Sequence, residues 1–598
     1  MCGIIGYVGD RGDTEVLEVL MDGLSGLEYR GYDSAGVAVA NSSIAVRKRE
    51  GDISALESAL DGDDVDGTAG IGHTRWSTHG PPSDVNAHPH TDDDDRVAVV
   101  HNGIIENYQP LRDDLESRGY EFESETDTEV VPHLIADALA DGCDRERAFR
   151  RAIDRLEGSY AIAAVFSGCE TVYAARDSSP LVLGIGDDGH YLASDVPAFI
   201  EYTDRVIYLD DGEFATIEPD SVVVTDADGT VVDTSIETIE WDPEDAGKSG
   251  YDHYMLKEIH EQPTAIRQCL HERVVELERE IAVDSVASLS VPDRVQLVAC
   301  GTSYHAALYG TRLLRERGVP ATAFLASEYD VDAVPVDRET LVIGVTQSGE
   351  TADTMTALRE ANSVGATTLA VTNVVGSSAA RECDRAMYVR AGPEIGVAAT
   401  KTFVSQQIAL VVLASELTGE YDVDLVGALR DLPGQLQSVL DDSRARTVAE
   451  EYLDADAYFF IGRSYNAPVA LEGALKMKEI TYKHAEGFAA GELKHGPLAL
   501  VTDRTPVFAL VTEGANPTKT IGNVKEVETR GAPVVAVTDG CSDVERYADF
   551  VLEVPETHPA LAPVLANVQL QLVSYWVAND LGRSIDKPRN LAKSVTVE

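Results

Sequence analysis

A chain of 598 residues with 44% hydrophobic side chains is long enough for roughly three to five domains with packed cores. Its formal net charge of -55 excludes nucleic acid and anionic membranes as partners, because their phosphate groups would be repelled. No apolar run reaches the roughly 18 residues of a membrane span, and no basic segment typical of a signal peptide opens the chain. We therefore expect a cytoplasmic protein. Its acidic residues are spread along the chain, which favours a hydrated surface suited to a high-salt host over a functional acidic patch.

Residues 1–240 mix short strand patterns with helical ones, which predicts an α+β sandwich. The predicted helices are Thr14–Leu27 and Thr128–Leu139. The predicted strands are Ile4–Val8, Gly36–Ala40, Arg96–Val100, Tyr160–Phe166 and Thr171–Ala175. A polar stretch, Asp242–Gly250, is interpreted as a linker, and residues 251–280 are predicted to form a helix.

The second half contains an internal repeat. Strand Val295–Cys300 is followed by Gly301, Ser303, Tyr304 and Ala306, and the same four residue types follow strand Tyr458–Ile461 at a shift of 161. Further matches follow in the same order. The repeat predicts two duplicated α/β lobes, each built on a parallel sheet.

Cys2 becomes the first residue if Met1 is removed, and its thiol then lies beside a free α-amine. An α-amine has a pKa of about 7.7–8.0, so it can act as general base for the thiol. An ordinary second-position cysteine is the alternative. The spacings of the seven cysteines include no CxxC and no Cys/His ligand pattern, so we expect reduced thiols, no metal site and no cofactor.

Four polar positions in the first 130 residues would complete a site around Cys2. Arg75 suits a carboxylate, the Asn102 amide and the Gly103 N–H suit an oxyanion, and Asp127 suits an ammonium group. Each signal is weak alone, since Asp127 also fits a helix N-cap. Together they describe hydrolysis of a glutamine side-chain amide.

These motifs resemble the class II glutamine amidotransferase domain. The resemblance is carried by Cys2-Gly3-Ile4, Arg30–Ser34, Gly72–His79, His101-Asn102-Gly103 and Thr126-Asp127. It implies an N-terminal-nucleophile sandwich with α/β/β/α layers, in which Cys2 attacks the amide while Asn102 and Gly103 hold the oxyanion. It also implies that Arg75, Thr78, His79 and Asp127 bind glutamine and that Trp76 gates the passage of ammonia.

In the second half, Thr346-Gln347-Ser348-Gly349-Glu350-Thr351 follows a strand and precedes a helix, an arrangement that binds phosphate through backbone N–H groups. Thr302 and Ser303 occupy a similar position after their own strand. Two N-capped helices are the alternative.

A third group of residues suits the chemistry of a ketose. Glu472, Lys476 and Glu479 share one helix face, although a solvated salt-bridge ladder has the same spacing. His495 lies in a loop bounded by glycine and proline, and Lys593 lies in an irregular tail. An imine-forming lysine and a positioned carboxylate are what moving a carbonyl from C2 to C1 requires.

Almost the whole chain resembles the glutamine–fructose-6-phosphate aminotransferase (isomerizing) family, which carries two sugar-isomerase (SIS) lobes. The resemblance implies that Glu479 is the isomerising acid/base, His495 opens the ring and Lys593 forms the imine, assisted by Glu472 and Lys476. It implies that the sugar phosphate is bound by Thr302, Ser303, Thr346, Gln347, Ser348 and Thr351. Ala399 departs from the usual serine.

The resemblance further implies glutamine and fructose 6-phosphate as substrates, an internal ammonia channel, and a homodimer or higher oligomer in which a neighbour offers His495. A sugar-phosphate-binding regulator and another class II amidotransferase remain alternatives. The predicted division of the chain is a glutaminase domain (1–240), a linker and lead-in helix (241–280), a first SIS domain (281–420), a connector (421–445), a second SIS domain (446–585) and a tail closing the sugar site (586–598).

Overall fold

A computed structural model describes residues 2–9, 15–60, 65–239, 247–275, 280–283, 285–419 and 422–596. Contacts divide the chain into two compact units, Met1–Ala246 with Ala592–Glu598, and Gly247–Leu591. Most of the predicted linker, residues 242–246, lies outside the described residues. In the described part of the chain, no helix combines the length and the apolarity that crossing a membrane would need.

The first unit consists of two antiparallel sheets and five helices in its described part. Its helices are α1 (Val16–Leu27), α2 (Ile53–Leu60), α3 (Tyr108–Ser117), α4 (Val130–Ala140) and α5 (Arg145–Ile153). Its strands are β1 (Gly3–Gly9), β2 (Ser34–Ala40), β3 (Ile44–Glu50), β4 (Ala69–Arg75), β5 (His90–Thr91), β6 (Val97–Ile105), β7 (Gly158–Phe166), β8 (Val172–Asp177), β9 (Val182–Ile185), β10 (Gly189–Ala193), β11 (Arg205–Tyr208), β12 (Phe214–Glu218), β13 (Ser221–Thr225) and β14 (Glu237–Thr238). The strand orders are β14-β11-β9-β10-β1-β4-β2-β3 and β13-β12-β8-β7-β6-β5.

Alternating side chains distribute these strands over three hydrophobic layers. Ile4 and Val8 of β1 share a core with Val100 of β6, so they fill the space between the sheets. Ile5 of β1 points to the opposite face and packs with α1, while Val99 of β6 packs with the layer of α4 and α5. The layers are therefore α/β/β/α, and the predicted sandwich is confirmed.

The second unit contains two five-stranded parallel sheets. Its remaining elements begin with α6 (Tyr254–Leu270), β15 (Val274–Val275), β16 (Glu280–Ile281), β17 (Arg294–Ala299), α7 (Gly301–Glu316), β18 (Ala321–Leu325), β19 (Thr340–Val345), α8 (Ala352–Ser363), β20 (Thr367–Thr372), α9 (Ser378–Glu382), β21 (Arg385–Tyr388), α10 (Lys401–Thr418) and α11 (Val423–Asp442). They continue with α12 (Ala445–Glu451), β22 (Ala457–Gly462), α13 (Asn466–Thr481), β23 (His484–Ala489), β24 (Val507–Val511), α14 (Pro517–Glu528), β25 (Val534–Thr538), β26 (Phe550–Glu553) and α15 (Ala562–Asp580).

The two sheets have the same strand order, β18-β17-β19-β20-β21 and β23-β22-β24-β25-β26. All of their strand pairs are parallel. The duplication predicted from the repeat is therefore confirmed. One continuous hydrophobic core contains residues of both lobes, including Leu297 of β17 and Phe460 of β22.

The helix predicted over residues 251–280 is shorter than expected. It runs from Tyr254 to Leu270 and is followed by the short antiparallel pair β15 and β16. The prediction was wrong beyond Leu270, because Val274 and Ile281 pair across this short ribbon instead of continuing the helical face.

Helix α13 lies unusually close to strand β23, and this contact gives a prediction. A Cβ at Gly487 would lie 2.5 Å from the backbone oxygen of Ala470 and 2.6 Å from the Cα of Leu471. Neither atom can rotate away, so Gly487→Ala is expected to destabilise the unit by about 1–3 kcal/mol. The midpoint of thermal unfolding measures this change.

Gly522 is the matched control, because it lies inside α14 and nothing is within 4 Å of its Cβ position. Gly522→Ala is expected to stabilise the unit by about 0.5–1 kcal/mol. Equal shifts in both variants would contradict the close backbone approach.

Candidate active sites

The Cys2 thiol lies at the start of β1, beside the end of β4. Its Sγ accepts a hydrogen bond from the backbone N–H of Trp76 at 3.3 Å and lies 3.5 Å from the Trp76 carbonyl oxygen. Cys2 is partly buried. The thiol is therefore accessible and is positioned by backbone groups. Met1 lies outside the described residues.

Asn102 and Arg30 both contact the backbone of Cys2. The Asn102 Nδ2 donates to the Cys2 carbonyl at 3.0 Å, and the Arg30 Nε donates to the same oxygen at 3.1 Å. Arg30 is itself held by Asp195 at 3.1 Å. The predicted oxyanion amide therefore lies next to the predicted nucleophile.

Gly103 follows Asn102 with φ of 123°, in the region that favours glycine. A Cβ there would lie 2.0 Å from the Ser159 carbonyl oxygen. Only glycine fits at this point of β6.

Arg75 is buried at the end of β4, and only one of its two terminal guanidinium nitrogens donates hydrogen bonds. Its Nη2 donates to the His79 carbonyl and, at 3.1 Å, to the Gly80 carbonyl. Its Nη1 is buried and has no hydrogen-bond partner among the described residues. Burial lowers the pKa of Arg75, while Cys2, Asp127 and Asp33 act in the opposite direction. An unpaired buried guanidinium nitrogen is the group that a substrate carboxylate would satisfy.

Asp127 is also buried, and one of its oxygens is already occupied. Oδ2 accepts from the Ile105 N–H at 2.9 Å, and Oδ1 lies 3.9 Å from His79 Nδ1. Helix α4 has Glu129 as its N-cap, so the N-cap alternative for Asp127 is wrong. Thr78 is exposed and makes no hydrogen bond within the described chain.

Trp76 packs edge-on against Tyr32, with ring centroids 5.5 Å apart. The turn that carries it is fixed by the Ser77 N–H, which donates to Asp33 at 2.8 Å. The residues predicted to bind the substrate glutamine therefore lie around one turn, Arg75–Gly80, at the end of β4.

In the second unit, the predicted phosphate loop Thr346–Thr351 forms a tight turn after β19. Thr346 Oγ1 accepts from the Gly349 N–H at 3.1 Å, and Ser348 Oγ accepts from the Glu350 N–H at 3.1 Å. Gly349 has φ of 72°, and a Cβ there would lie 2.1 Å from Ser377 Oγ. Thr351 precedes α8 but makes no side-chain cap. Simple N-capping therefore does not explain this hydroxyl-rich loop.

Thr302 and Ser303 lie on the first turn of α7, after β17. Strands β17 and β19 are parallel neighbours, so the two predicted phosphate segments lie at the same edge of the sheet. Ser303 Oγ accepts from Gln406 Nε2 of α10 at 3.0 Å. Gln347 and Ser348 are partly exposed at this edge.

A buried charge network, Glu472, Lys476 and Glu479, lies on one face of α13. Lys476 Nζ is 3.3 Å from Glu472 and 2.6 Å from Glu479. Glu472 is 0% exposed and Lys476 is 1% exposed. The solvated salt-bridge ladder considered from the sequence is therefore excluded.

Residues of the first lobe complete this charge network. Glu472 accepts from Thr302 Oγ1 at 3.0 Å and lies 2.7 Å from His305 Nδ1, both on α7. Burial alone would raise the pKa of Glu472, but Lys476 and His305 hold it below its ordinary value. Burial likewise opposes the charge of Lys476, but Glu479 and Glu472 outweigh it and raise its pKa. Both shifts favour the charged forms of Glu472 and Lys476.

The other two predicted sugar-site residues are His495 and Lys593. His495 is exposed at the end of the 3-10 helix Ala490–His495 and makes no hydrogen bond or ion pair with a described residue. Lys593 lies in the irregular tail, and Ala592–Glu598 group with the first unit. The roles of both residues remain predictions.

Sequence reasoning missed several supporting residues. Arg30 and His305 stood inside motifs that were noted, but their contacts with Cys2 and Glu472 were not foreseen. His73 lies 3.2 Å from Asn102 Oδ1 and also belonged to a noted motif. Asp195 and Gln406 lie far along the chain from their partners, and no local pattern marked them. In the described part of the chain, no group of three or more His, Cys, Asp or Glu residues is arranged to hold a metal ion.

Comparisons with known proteins identify two kinds of domain in this chain. A family model described as a glutamine amidotransferase domain matches residues 73–201, and one described as a SIS domain matches residues 288–416 and 451–579. The solved C-terminal domain of glucosamine-fructose-6-phosphate aminotransferase from Francisella tularensis is 37% identical, with a TM-score of 0.54. The match covers 100% of that structure and 57% of this chain.

Two relatives that match over their whole length share one name. This chain is 52% identical to the glutamine–fructose-6-phosphate aminotransferase (isomerizing) of Halobacterium salinarum and 46% identical to that of Thermus thermophilus, with 100% of each chain covered. Identity at this level over the whole length covers both the thiol site and the charged helix. The chain therefore belongs to the glutamine–fructose-6-phosphate aminotransferase (isomerizing) family.

Proposed function

We propose that this protein converts glutamine and fructose 6-phosphate into glutamate and glucosamine 6-phosphate, the first step of amino-sugar biosynthesis. The observation that carries the proposal is the coexistence of two sites in one chain: a thiol site with an unpaired buried guanidinium nitrogen, and a charged helix that contacts Thr302 at the predicted phosphate edge. A glutaminase alone would not need the charged helix, and a sugar-phosphate-binding regulator would not need the thiol site. The decisive assay supplies both substrates and measures glutamate and amino-sugar phosphate together.

In the first unit, the Cys2 thiolate attacks the carbonyl carbon of the glutamine amide. The Asn102 amide and the Gly103 N–H stabilise the oxyanion, and ammonia leaves as the thioester forms. Water then hydrolyses the thioester to glutamate. Arg75 binds the substrate α-carboxylate through its unpaired nitrogen, and Asp127 binds the α-ammonium group with Thr78 and His79 nearby. The freed α-amine of Cys2 serves as the base.

In the second unit, Thr302, Ser303 and the loop Thr346–Thr351 bind the phosphate. His495 opens the sugar ring, and Lys593 forms an imine with C2 that ammonia then displaces. Glu479 moves a proton from C1 to C2, which shifts the double bond and yields the aldose. Lys476, held by Glu472, lies 2.6 Å from Glu479 and positions its carboxylate for that transfer.

The remaining predictions complete this proposal. Residues 1–240 form the glutaminase domain, 281–420 and 446–585 form the SIS domains, and 586–598 close the sugar site. Ammonia travels through an internal channel gated by Trp76. The protein is a homodimer or higher oligomer in the cytoplasm of a salt-loving host, and a neighbouring subunit offers His495.

Cys2→Ala is expected to abolish glutamine hydrolysis, because no other thiol can form the thioester. Amination with ammonium salts and phosphoketose isomerisation are expected to persist, since those steps do not use the Cys2 thiol. Glutamate release and amino-sugar phosphate are measured separately. Cys541→Ala is the control, because Cys541 is an exposed cysteine of the second unit. Residual glutamine hydrolysis in Cys2→Ala would place the nucleophile elsewhere.

Glu479→Gln is expected to slow conversion of the sugar about 10²- to 10⁴-fold, because the amide cannot accept a proton from C1. Imine formation is expected to remain, since it does not use this carboxylate. Borohydride trapping with fructose 6-phosphate, followed by mass spectrometry, reports the imine independently of turnover. Normal turnover in this variant would show that another group moves the proton.

Lys593→Ala is expected to abolish the adduct trapped by borohydride, while glutamine hydrolysis persists. Lys587→Ala is the matched control, because it removes the other lysine of the same tail. Undiminished trapping in Lys593→Ala, or its loss in Lys587→Ala instead, would assign the imine to a different lysine.

A further inference from the structure

His73 connects the two sheets of the first unit at the position of Asn102. It lies on β4 two residues after Ile71, whose side chain belongs to the core between the sheets. Side chains two apart on a strand share a face, so His73 also points toward the second sheet. It is 0% exposed and reaches β6, which carries His101 and Asn102. The proposed mechanism gives His73 no role, because it is neither the nucleophile nor a residue that binds the substrate.

The contacts of His73 determine which ring nitrogen carries the proton. Nε2 lies 3.0 Å from the backbone oxygen of His101, and a carbonyl oxygen can only accept. Nε2 is therefore protonated and donates. Burial lowers the pKa of His73 to about 3, so the ring is neutral and Nδ1 is bare. Nδ1 has no hydrogen-bond partner among the described residues, and the ring stacks on His88 with centroids 4.1 Å apart.

The same N–H fixes the orientation of the Asn102 amide. Nε2 is 3.2 Å from Asn102 Oδ1, while Asn102 Nδ2 donates to the Cys2 carbonyl at 3.0 Å. A flipped amide would place its NH₂ group against a donor and its oxygen against another carbonyl oxygen. Both contacts would become repulsive. The NH₂ group of Asn102 is therefore directed toward the backbone of the nucleophilic residue, Cys2, before any substrate binds.

We propose that His73 is a positioning residue for glutamine hydrolysis, which holds the Asn102 amide so that its Nδ2 faces the developing oxyanion. The inference rests on the proposed function, because it requires Asn102 to donate to that oxyanion. Hydrogen-bond donors accelerate a reaction most when they are already oriented and need no rearrangement. His73 supplies this orientation from the opposite sheet, and it does not touch the substrate.

A merely structural role for His73 makes a different prediction. Loss of a bridge between the sheets would lower the melting temperature and affect glutamine binding and turnover together. Loss of amide orientation would lower kcat, leave KM for glutamine nearly unchanged, and have no effect once Asn102 is removed. A double-mutant cycle separates the two roles.

The experiment compares His73→Phe, His73→Gln, Asn102→Ala and the double variant His73→Phe/Asn102→Ala in the full-length chain. His73→Phe keeps a ring but removes the donor, and is expected to lower kcat for glutamine hydrolysis about 10- to 100-fold with KM changed less than about threefold. His73→Gln places an N–H near the position of Nε2 and is expected to restore most of kcat. The double variant is expected to match Asn102→Ala within about twofold.

Three outcomes would overturn the inference. They are an unchanged kcat in His73→Phe, an effect that multiplies in the Asn102→Ala background, and a kcat in His73→Gln as low as that of His73→Phe. If His73→Phe does not fold, His73→Gln decides between the roles, with its fold checked by the melting temperature and by glutamine protection of Cys2 from iodoacetamide. Full activity of Asn102→Ala would instead contradict the proposed oxyanion site, so the two failures are distinguishable.

Discussion

The charge network on α13 is the constraint on which the second unit depends. Glu472 and Lys476 are almost wholly inaccessible, so each needs the other to remain charged inside the protein. Removing one partner of a buried ion pair leaves an uncompensated charge and costs about 3–5 kcal/mol. Here the compensation crosses between lobes, because Thr302 and His305 of α7 also bind Glu472. Glu479, the predicted acid/base residue, is therefore joined through Lys476 and Glu472 to the helix that begins at the predicted phosphate edge.

The internal duplication explains how one sequence pattern serves two purposes. Position 305 in the first lobe corresponds to position 466 in the second, at the shift of 161 found in the repeat. His305 reaches across to Glu472, whereas Asn466 is buried in its own lobe and donates to the Leu510 carbonyl and to Thr512 Oγ1 at 3.2 and 2.9 Å. The first lobe thus supplies the predicted phosphate loops and a bridging histidine, while the second supplies the charged helix. Duplication of the sheet did not require duplication of the site.

Local patterns predicted the parts of the structure that depend on local order. The face shared by Glu472, Lys476 and Glu479 follows from helical periodicity. The apolar run predicted strand Arg96–Val100, and in the structure this strand continues through Asn102 to Ile105. The burial of Glu472 could not be predicted this way, because it results from packing against α7, about 170 residues earlier in the chain. Arg30 is likewise fixed by Asp195, and nothing near either residue indicates the pair. The helix end at Leu270 was missed because the strands that follow it, β15 and β16, are only two residues long.

The two units solve the same electrostatic problem in different ways. In the second, buried carboxylates and a lysine neutralise one another. In the first, burial lowers the pKa values of His73, His88, His90 and His101, so these rings remain neutral around the thiol site. Among the described residues, Arg30 contacts the Cys2 backbone and Arg75 interacts electrostatically with Cys2. Neutral histidines can therefore fix amide orientation without adding charge, which leaves the unpaired guanidinium nitrogen of Arg75 for a carboxylate.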